Sequence, residues 1–156
     1  MSSDLTTQQR VQCGEILVQY VLLKHGIESA HLTTDTGIDL VVYPRTMSKA
    51  WPFDRPATIQ VKTSTHRQVS EGYKGYIGWF IPDDCPADFA ALVDLDMDKL
   101  WLLPKADFDK KSTKARKGYR GLWWSITDSL NSRQKRREID FAKYEMDDGI
   151  INAFGV

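Results

Sequence analysis

Two short runs say most about what this chain becomes: residues 38–43, Ile-Asp-Leu-Val-Val-Tyr, and residues 58–63, Thr-Ile-Gln-Val-Lys-Thr. Both are rich in β-branched and apolar residues, and Pro44 stops the first, so each reads as a strand. Successive residues of a strand point to opposite faces. Gln60 and Lys62 therefore project one way, and Ile59, Val61 and Thr63 the other. Ile59 and Val61 suit a core, which leaves the polar pair facing outward or into a cleft. Asp39 opens its strand among apolar neighbours, where a lone acid is costly unless it is paired or bound to metal.

Around these runs the chain organises readily. Thr6 or Thr7 can cap a helix over residues 8–25, whose apolar stripe is Val11, Cys13, Ile16, Leu17, Tyr20, Val21 and Leu23, with Gly26 placed to end it. Residues 33–37 are turn-like and include Asp35. Residues 44–56 hold three prolines and read as a loop. Further strands are predicted at 76–81, 90–94 and 100–103, the last two separated by the turn Asp96-Met97-Asp98. A basic, mixed segment follows, then a helix or loop at 126–130 and a short helix at about 137–144. A helix followed by a run of strands points to an α+β domain with a mixed central sheet flanked by helices.

At 156 residues, 42% hydrophobic and 27% charged, the composition is that of a single globular domain. No stretch is long and apolar enough for a membrane span, and the polar residues 1–10 lack the apolar core of a signal peptide. The expectation is a soluble, cytoplasmic protein. Cys13 and Cys85 lie far apart with no CxxC spacing, which argues against a structural zinc site. Cys13 suits a buried helical position.

The formal net charge of zero hides an uneven distribution. Residues 105–137 carry +8, between segments at −5 (81–100) and −4 (138–156). A phosphate backbone responds to the local patch rather than to the sum. Lys110, Lys111, Lys114, Arg116, Lys117 and Arg120, interleaved with glycines and Tyr119, form the candidate backbone-binding segment, which Arg133, Lys135, Arg136 and Arg137 can extend. The alternative is a solvated charged face. Such contacts position DNA without reading its sequence. Trp101, Trp123 and Trp124 suit core or interface anchors better than base-stacking platforms.

If the two opening strands are neighbours, Asp39, Gln60 and Lys62 converge. A carboxylate and an amide oxygen are hard ligands suited to Mg²⁺ or Mn²⁺. A metal so placed acidifies a bound water and neutralises charge on a scissile phosphate, and the Lys62 ammonium stabilises the crowded phosphate or orients the water. Ser64, Thr65, His66 and Arg67 follow the lysine and are candidate phosphate contacts. Asp35 suits a turn residue better than a ligand.

This order of residues resembles the PD-(D/E)XK nuclease superfamily, and most of all its glutamine-bearing branch, which includes some group I intron homing endonucleases and has archaeal Holliday-junction resolvases as relatives. The resemblance rests on Gly37-Ile38-Asp39 opening one strand and Gln60-Val61-Lys62 on the next, and covers about residues 10–80. It implies a restriction-endonuclease-like core and an acid on the preceding helix, a role that Glu15 in Gly14-Glu15-Ile16 fits. Ile38 stands where the superfamily name has proline, and Gln60 replaces the second carboxylate, leaving one negative charge fewer. The resemblance implies a Mg²⁺- or Mn²⁺-dependent endonuclease acting on DNA, with Asp39, Gln60 and Glu15 as metal ligands and Lys62 assisting hydrolysis. Its core would span about residues 10–82 and its DNA-contacting region about 105–137, all in one domain. Cutting both strands needs two sites, so a homodimer or homotetramer is expected. The alternatives are a nuclease-like domain that binds DNA or protein without cutting, and a structure-specific nuclease for branched DNA.

Overall fold

The first helix, α1 (Thr7–Lys24), is closed at its start by a reciprocal pair: the Thr6 hydroxyl accepts from the Gln9 N–H, and the Gln9 side chain accepts from the Thr6 N–H. The computed structural model describes residues 4–34, 36–45, 51–67, 75–126 and 136–156. Asp35, residues 127–130 of the segment read as helix or loop, and Arg133 and Lys135 of the second basic cluster lie outside them.

Strand β1 (Ile27–His31) follows, then β2 (Leu40–Pro44) and β3 (Ala57–Ser64). Strands β4 (Tyr76–Pro82), β5 (Phe89–Asp94) and β6 (Lys99–Pro104) lead to a short helix α2 (Lys105–Lys111). Next come a hairpin of β7 (Thr113–Arg116) and β8 (Tyr119–Ser125), a 3₁₀ helix (Glu138–Tyr144) and α3 (Met146–Phe154). The central sheet runs β1-β2-β3-β5-β6, with β3 and β5 parallel and its other pairs antiparallel. A second, antiparallel sheet runs β4-β8-β7. The architecture is α+β, a mixed central sheet flanked by helices, as the sequence suggests.

The β3 alternation sorts two cores. Ile59 and Val61 face α1 and α3, joining Val18, Val21, Leu22, Ile150 and Phe154. On the opposite face Ala90, Leu92, Trp101 and Leu103 of the central sheet pack against Ile77, Trp79, Leu122 and Trp124 of the second sheet. Trp101 and Trp124 are buried at 0% and 1% exposure, so they are core residues. Among the described residues no helix is long and apolar enough to cross a membrane.

The structure corrects two details. The buried side of α1 is Gly14, Val18, Val21 and Leu22, while Val11, Ile16, Tyr20 and Leu23 of the expected apolar stripe are exposed. This helix is apolar on two sides, so periodicity alone does not choose the inner one. Within the basic, mixed stretch, residues 105–125 form the short helix α2 and the β7–β8 hairpin, two strands that the sequence did not suggest.

Candidate functional site

Asp39 sits one residue before β2, where the antiparallel pairing with β3 begins. Its N–H donates to the Ile59 carbonyl at 2.9 Å, and its carbonyl accepts from Leu32. The backbone thus fixes the residue, and the side chain reaches across to β3. There Asp39 Oδ2 accepts from the Val61 N–H at 2.7 Å and from the Gln60 amide nitrogen at 2.5 Å. Among the described residues Oδ1 accepts no hydrogen bond, which leaves one lone-pair-rich oxygen of a half-buried carboxylate for another partner.

Gln60 is 3% exposed. Its amide nitrogen points at Asp39, and its Oε1 lies 3.8 Å from Cys85 Sγ, which also donates to the Gly37 carbonyl at 3.2 Å. Gly37 has φ +76°, a conformation that disfavours any side chain, and an added Cβ would stand 3.2 Å from Pro86 and 3.7 Å from the Gln60 oxygen. A glycine here lets the chain turn tightly into Asp39 against the Cys85–Pro86 segment. Burial pushes the Cys85 thiol up. A hydrogen bond with the Ala87 backbone and then the charges of Lys105 and Lys62 act against that, and the charge of Asp39 adds to it.

Lys62 and Gln60 share a cleft of about 470 Å³ with Thr36, Gly37, Asp84, Cys85 and Tyr119. Tyr119 opens β8 and pairs with Pro82, while the Gly118 carbonyl at the hairpin turn accepts from the Asp83 N–H at 3.0 Å. The basic hairpin is therefore anchored to the segment that forms one wall of the cleft. Lys114, Arg116 and Lys117 are exposed there, with Arg116 over the Tyr119 ring at 4.2 Å. Lys110 is exposed on α2. Lys111 lies over the Phe141 ring, and Arg120 is tied inward to the Ser112 hydroxyl and the Asp109 and Ser112 carbonyls. The six basic residues thus divide into an exposed group and two with structural partners.

Glu15 approaches from α1. Burial first, and then the charge of Asp39, push its carboxyl up, against the pull of His31, whose Nδ1 is 3.2 Å away. Carboxylates such as these are ligands that suit a hard divalent cation. The Gln60 oxygen, turned toward Cys85, does not face Asp39. The helix reaches this position because Gly14 lies on β3: a Cβ there would fall 1.9 Å from Thr63 Oγ1.

His66 lies with Asp94 and Asp96. Its Nε2 is 2.6 Å from Asp94 Oδ2, its N–H donates to Asp96 Oδ2 at 2.7 Å, and ligand atoms of the three residues lie within 4.8 Å of one another. That spacing can hold a metal ion, yet Asp94 is already engaged by His66 and by the Asp96 and Met97 N–H groups. Arg67 is exposed, and Ser64 ends β3. Sequence reasoning missed Cys85 and Asp84, which come from a turn with no motif of its own, and placed Tyr119 only in the basic segment and not at the cleft. Their apposition to β3 is a tertiary fact.

The chain shares the fold of a bacterial homing endonuclease. Against that protein, I-Ssp6803I, the TM-score is 0.59 at 13% sequence identity, covering 95% of this chain and 91% of that one. A likeness at this identity speaks for the fold: a nuclease-like α+β architecture. A second solved structure, MepB, gives a TM-score of 0.36 at 10% identity, over 84% of this chain and 93% of that one. No family model matches the sequence, and no curated protein sequence does.

Proposed function

We propose that the chain is a metal-dependent DNA endonuclease of the glutamine-bearing PD-(D/E)XK type, with Asp39 and Lys62 at the centre of its site. The observation that carries the reading is the placement of Asp39, Gln60 and Lys62 at the β2–β3 junction of a nuclease-like fold, with Glu15 next to the Gly14 that seats α1 on β3. The I-Ssp6803I likeness agrees with it.

Asp39 and Glu15 would hold Mg²⁺ or Mn²⁺, with Gln60 as a further ligand if its amide turns over. The ion when bound would lower the pKa of a coordinated water and offset charge on the phosphate. Lys62, projecting into the cleft, places an ammonium where charge builds on the phosphate oxygens and where the attacking water must be oriented. The Val61 N–H holds Asp39 Oδ2 and keeps the carboxylate aimed before substrate arrives. Lys114, Arg116 and Lys117, exposed on the hairpin whose Tyr119 lines the cleft, supply non-specific grip on the backbone. Lys110, exposed on α2, extends the same basic surface, while Lys111 and Arg120 brace it from within through the Phe141 ring and the Asp109 and Ser112 carbonyls, and Ser64, His66 and Arg67 mark where the strand beyond Lys62 meets the backbone. Double-strand cleavage requires a second site, hence a homodimer or homotetramer. The chain then acts as one domain.

The reading is tested by Asp39→Asn, which keeps an acceptor for the Val61 N–H. Cleavage should fall by a factor of about 10³ or more, since the metal site loses one of its two carboxylate charges and the one held in place by β3, while the melting temperature stays near that of the parent. An Asn variant that cuts at the parent rate would sink the assignment. One observation favours a second reading, a nuclease-like domain that binds DNA without cutting: Gln60 presents its amide nitrogen to Asp39. Salt-sensitive DNA binding with no metal-dependent product would support it.

A further inference from the structure

The carboxylate of Glu15 belongs to a row of side chains between α1 and the edge strand beside it. Glu15 and Gln19 are four residues apart on the helix, a spacing that sets one side chain above the other. Ser29 and His31 are two apart on β1, and such residues point to the same side of a strand. Where α1 packs on β1 the four meet. His31 Nδ1 lies 3.2 Å from Glu15 Oε2, and His31 Nε2 lies 2.8 Å from Gln19 Oε1. The Gln19 amide nitrogen donates to the Ser29 hydroxyl at 3.0 Å.

This arrangement holds the imidazole at both of its nitrogens. Gln19 spends its nitrogen on Ser29, which turns its oxygen toward His31 Nε2, and the opposite edge of the ring rests on the carboxylate. A ring held on two sides does not rotate without breaking a contact. It restrains the Glu15 carboxyl group in turn. Glutamate is long and flexible, and ordering such a side chain at the moment of binding costs affinity.

The end of β1 is tied to the other acid as well. His31 stands opposite Leu40 in the antiparallel register of β1 and β2, and Leu32 donates its N–H to the Asp39 carbonyl at 3.0 Å. Two consecutive residues at the end of one strand thus reach both candidate carboxylate ligands. Leu32 meets the backbone of Asp39, and His31 meets the side chain of Glu15.

We infer that His31 is a positioning residue of the metal site: its imidazole, braced by Gln19, holds the Glu15 carboxylate in the orientation in which it takes up the ion. The inference rests on the nuclease reading, which supplies the role of Glu15. Ligating carboxylates are themselves hydrogen-bonded, and the partners behind them tune metal affinity through the ligand they hold.

The test reads metal binding rather than cleavage. Isothermal titration with Mn²⁺ at a single neutral pH compares the parent with His31→Ala, His31→Asn and His31→Gln, and repeats His31→Ala in a Glu15→Gln background. Melting temperatures are recorded beside each titration. The asparagine amide nitrogen falls where Nδ1 stands and keeps the contact to Glu15, whereas the glutamine amide falls nearer Nε2 and loses it. His31→Ala and His31→Gln should bind Mn²⁺ about tenfold more weakly, and His31→Asn within about threefold of the parent. In the Glu15→Gln background His31→Ala should weaken binding no further, because two residues that act through one group are not additive. A His31→Ala protein with the parent affinity overturns the inference, and a lowered melting temperature alone makes the row a pin of β1 on α1. A loss of the same size in the Glu15→Gln background, or one that His31→Asn does not relieve, overturns it too. Each of these results leaves the nuclease reading in place. A parent that takes up no Mn²⁺ removes that reading itself, and the positioning role with it.

Discussion

At the scale of single residues, the site turns on how one carboxylate is held. Asp39 gives one oxygen to the Val61 N–H and the Gln60 amide, and among the described residues nothing donates to the other. A buried amide that donates to a carboxylate fixes its orientation without adding charge. The second acid, Glu15, has its carboxyl pushed up by burial and then by Asp39. A metal ion competes with protons for such a group, so Mn²⁺ affinity should rise with pH through and above the ordinary carboxylate range near pH ~4. In Glu15→Gln the affinity should be weaker and its pH dependence flatter. Isothermal titration at several pH values measures both. A Glu15→Gln protein with the parent profile would remove Glu15 from the site. The Asp39 and Lys62 positions were legible in the sequence because strand alternation assigns faces without a structure. The direction of the Gln60 amide was not, since it is set by Cys85, twenty-five residues away.

At the scale of elements, two contacts hold the site's scaffold. Gly14 seats α1 on β3, and any Cβ there meets Thr63 Oγ1. Alanine normally favours a helix interior over glycine by ~1 kcal/mol, but overpacking of a tight contact costs ~1–3 kcal/mol. Gly14→Ala should therefore lower the melting temperature and, by moving Glu15, weaken metal binding. A more stable alanine variant would show that the seam relaxes freely. The second contact is Asp88, at the start of the parallel β3–β5 pair, which binds the Arg55 guanidinium, the Thr58 N–H and the Thr58 hydroxyl. Chiefly Arg55, and then Thr58, hold its carboxyl below the ordinary range. A lowered folded value stabilises the protein above the unfolded value and loses that contribution as pH falls through the folded one. Thermal melts of Asp88→Asn should therefore show a deficit at neutral pH that closes below pH ~4. A deficit independent of pH would mean the latch does not depend on the charge. The strands of the central sheet read well from β-branched runs. Strand β1 did not, because Ile-Glu-Ser-Ala-His buries only its isoleucine and stays an edge. The hairpin strand β7 did not either, since all four of its residues are exposed.

At the scale of the whole molecule, a neutral chain presents a basic hairpin beside a cleft that holds Gln60 and Lys62. The charge count along the sequence located this segment, but only the fold sets it on a hairpin whose Tyr119 lines the cleft, leaves Lys114, Arg116 and Lys117 exposed and turns Arg120 inward. Replacing those three with glutamine should weaken duplex binding and reduce the salt slope by ~2–3, with little change in melting temperature, because their side chains are exposed. An unchanged salt slope would place the DNA elsewhere. The central claim is cleavage itself. It is tested most directly by incubating supercoiled plasmid and a synthetic four-way junction with the parent and with Lys62→Ala, in Mg²⁺, Mn²⁺ or EDTA. The account predicts nicked or linear product from the parent with either metal, none in EDTA, and product lost in Lys62→Ala. Cleavage that persists in EDTA, or that Lys62→Ala performs as well as the parent, would contradict it.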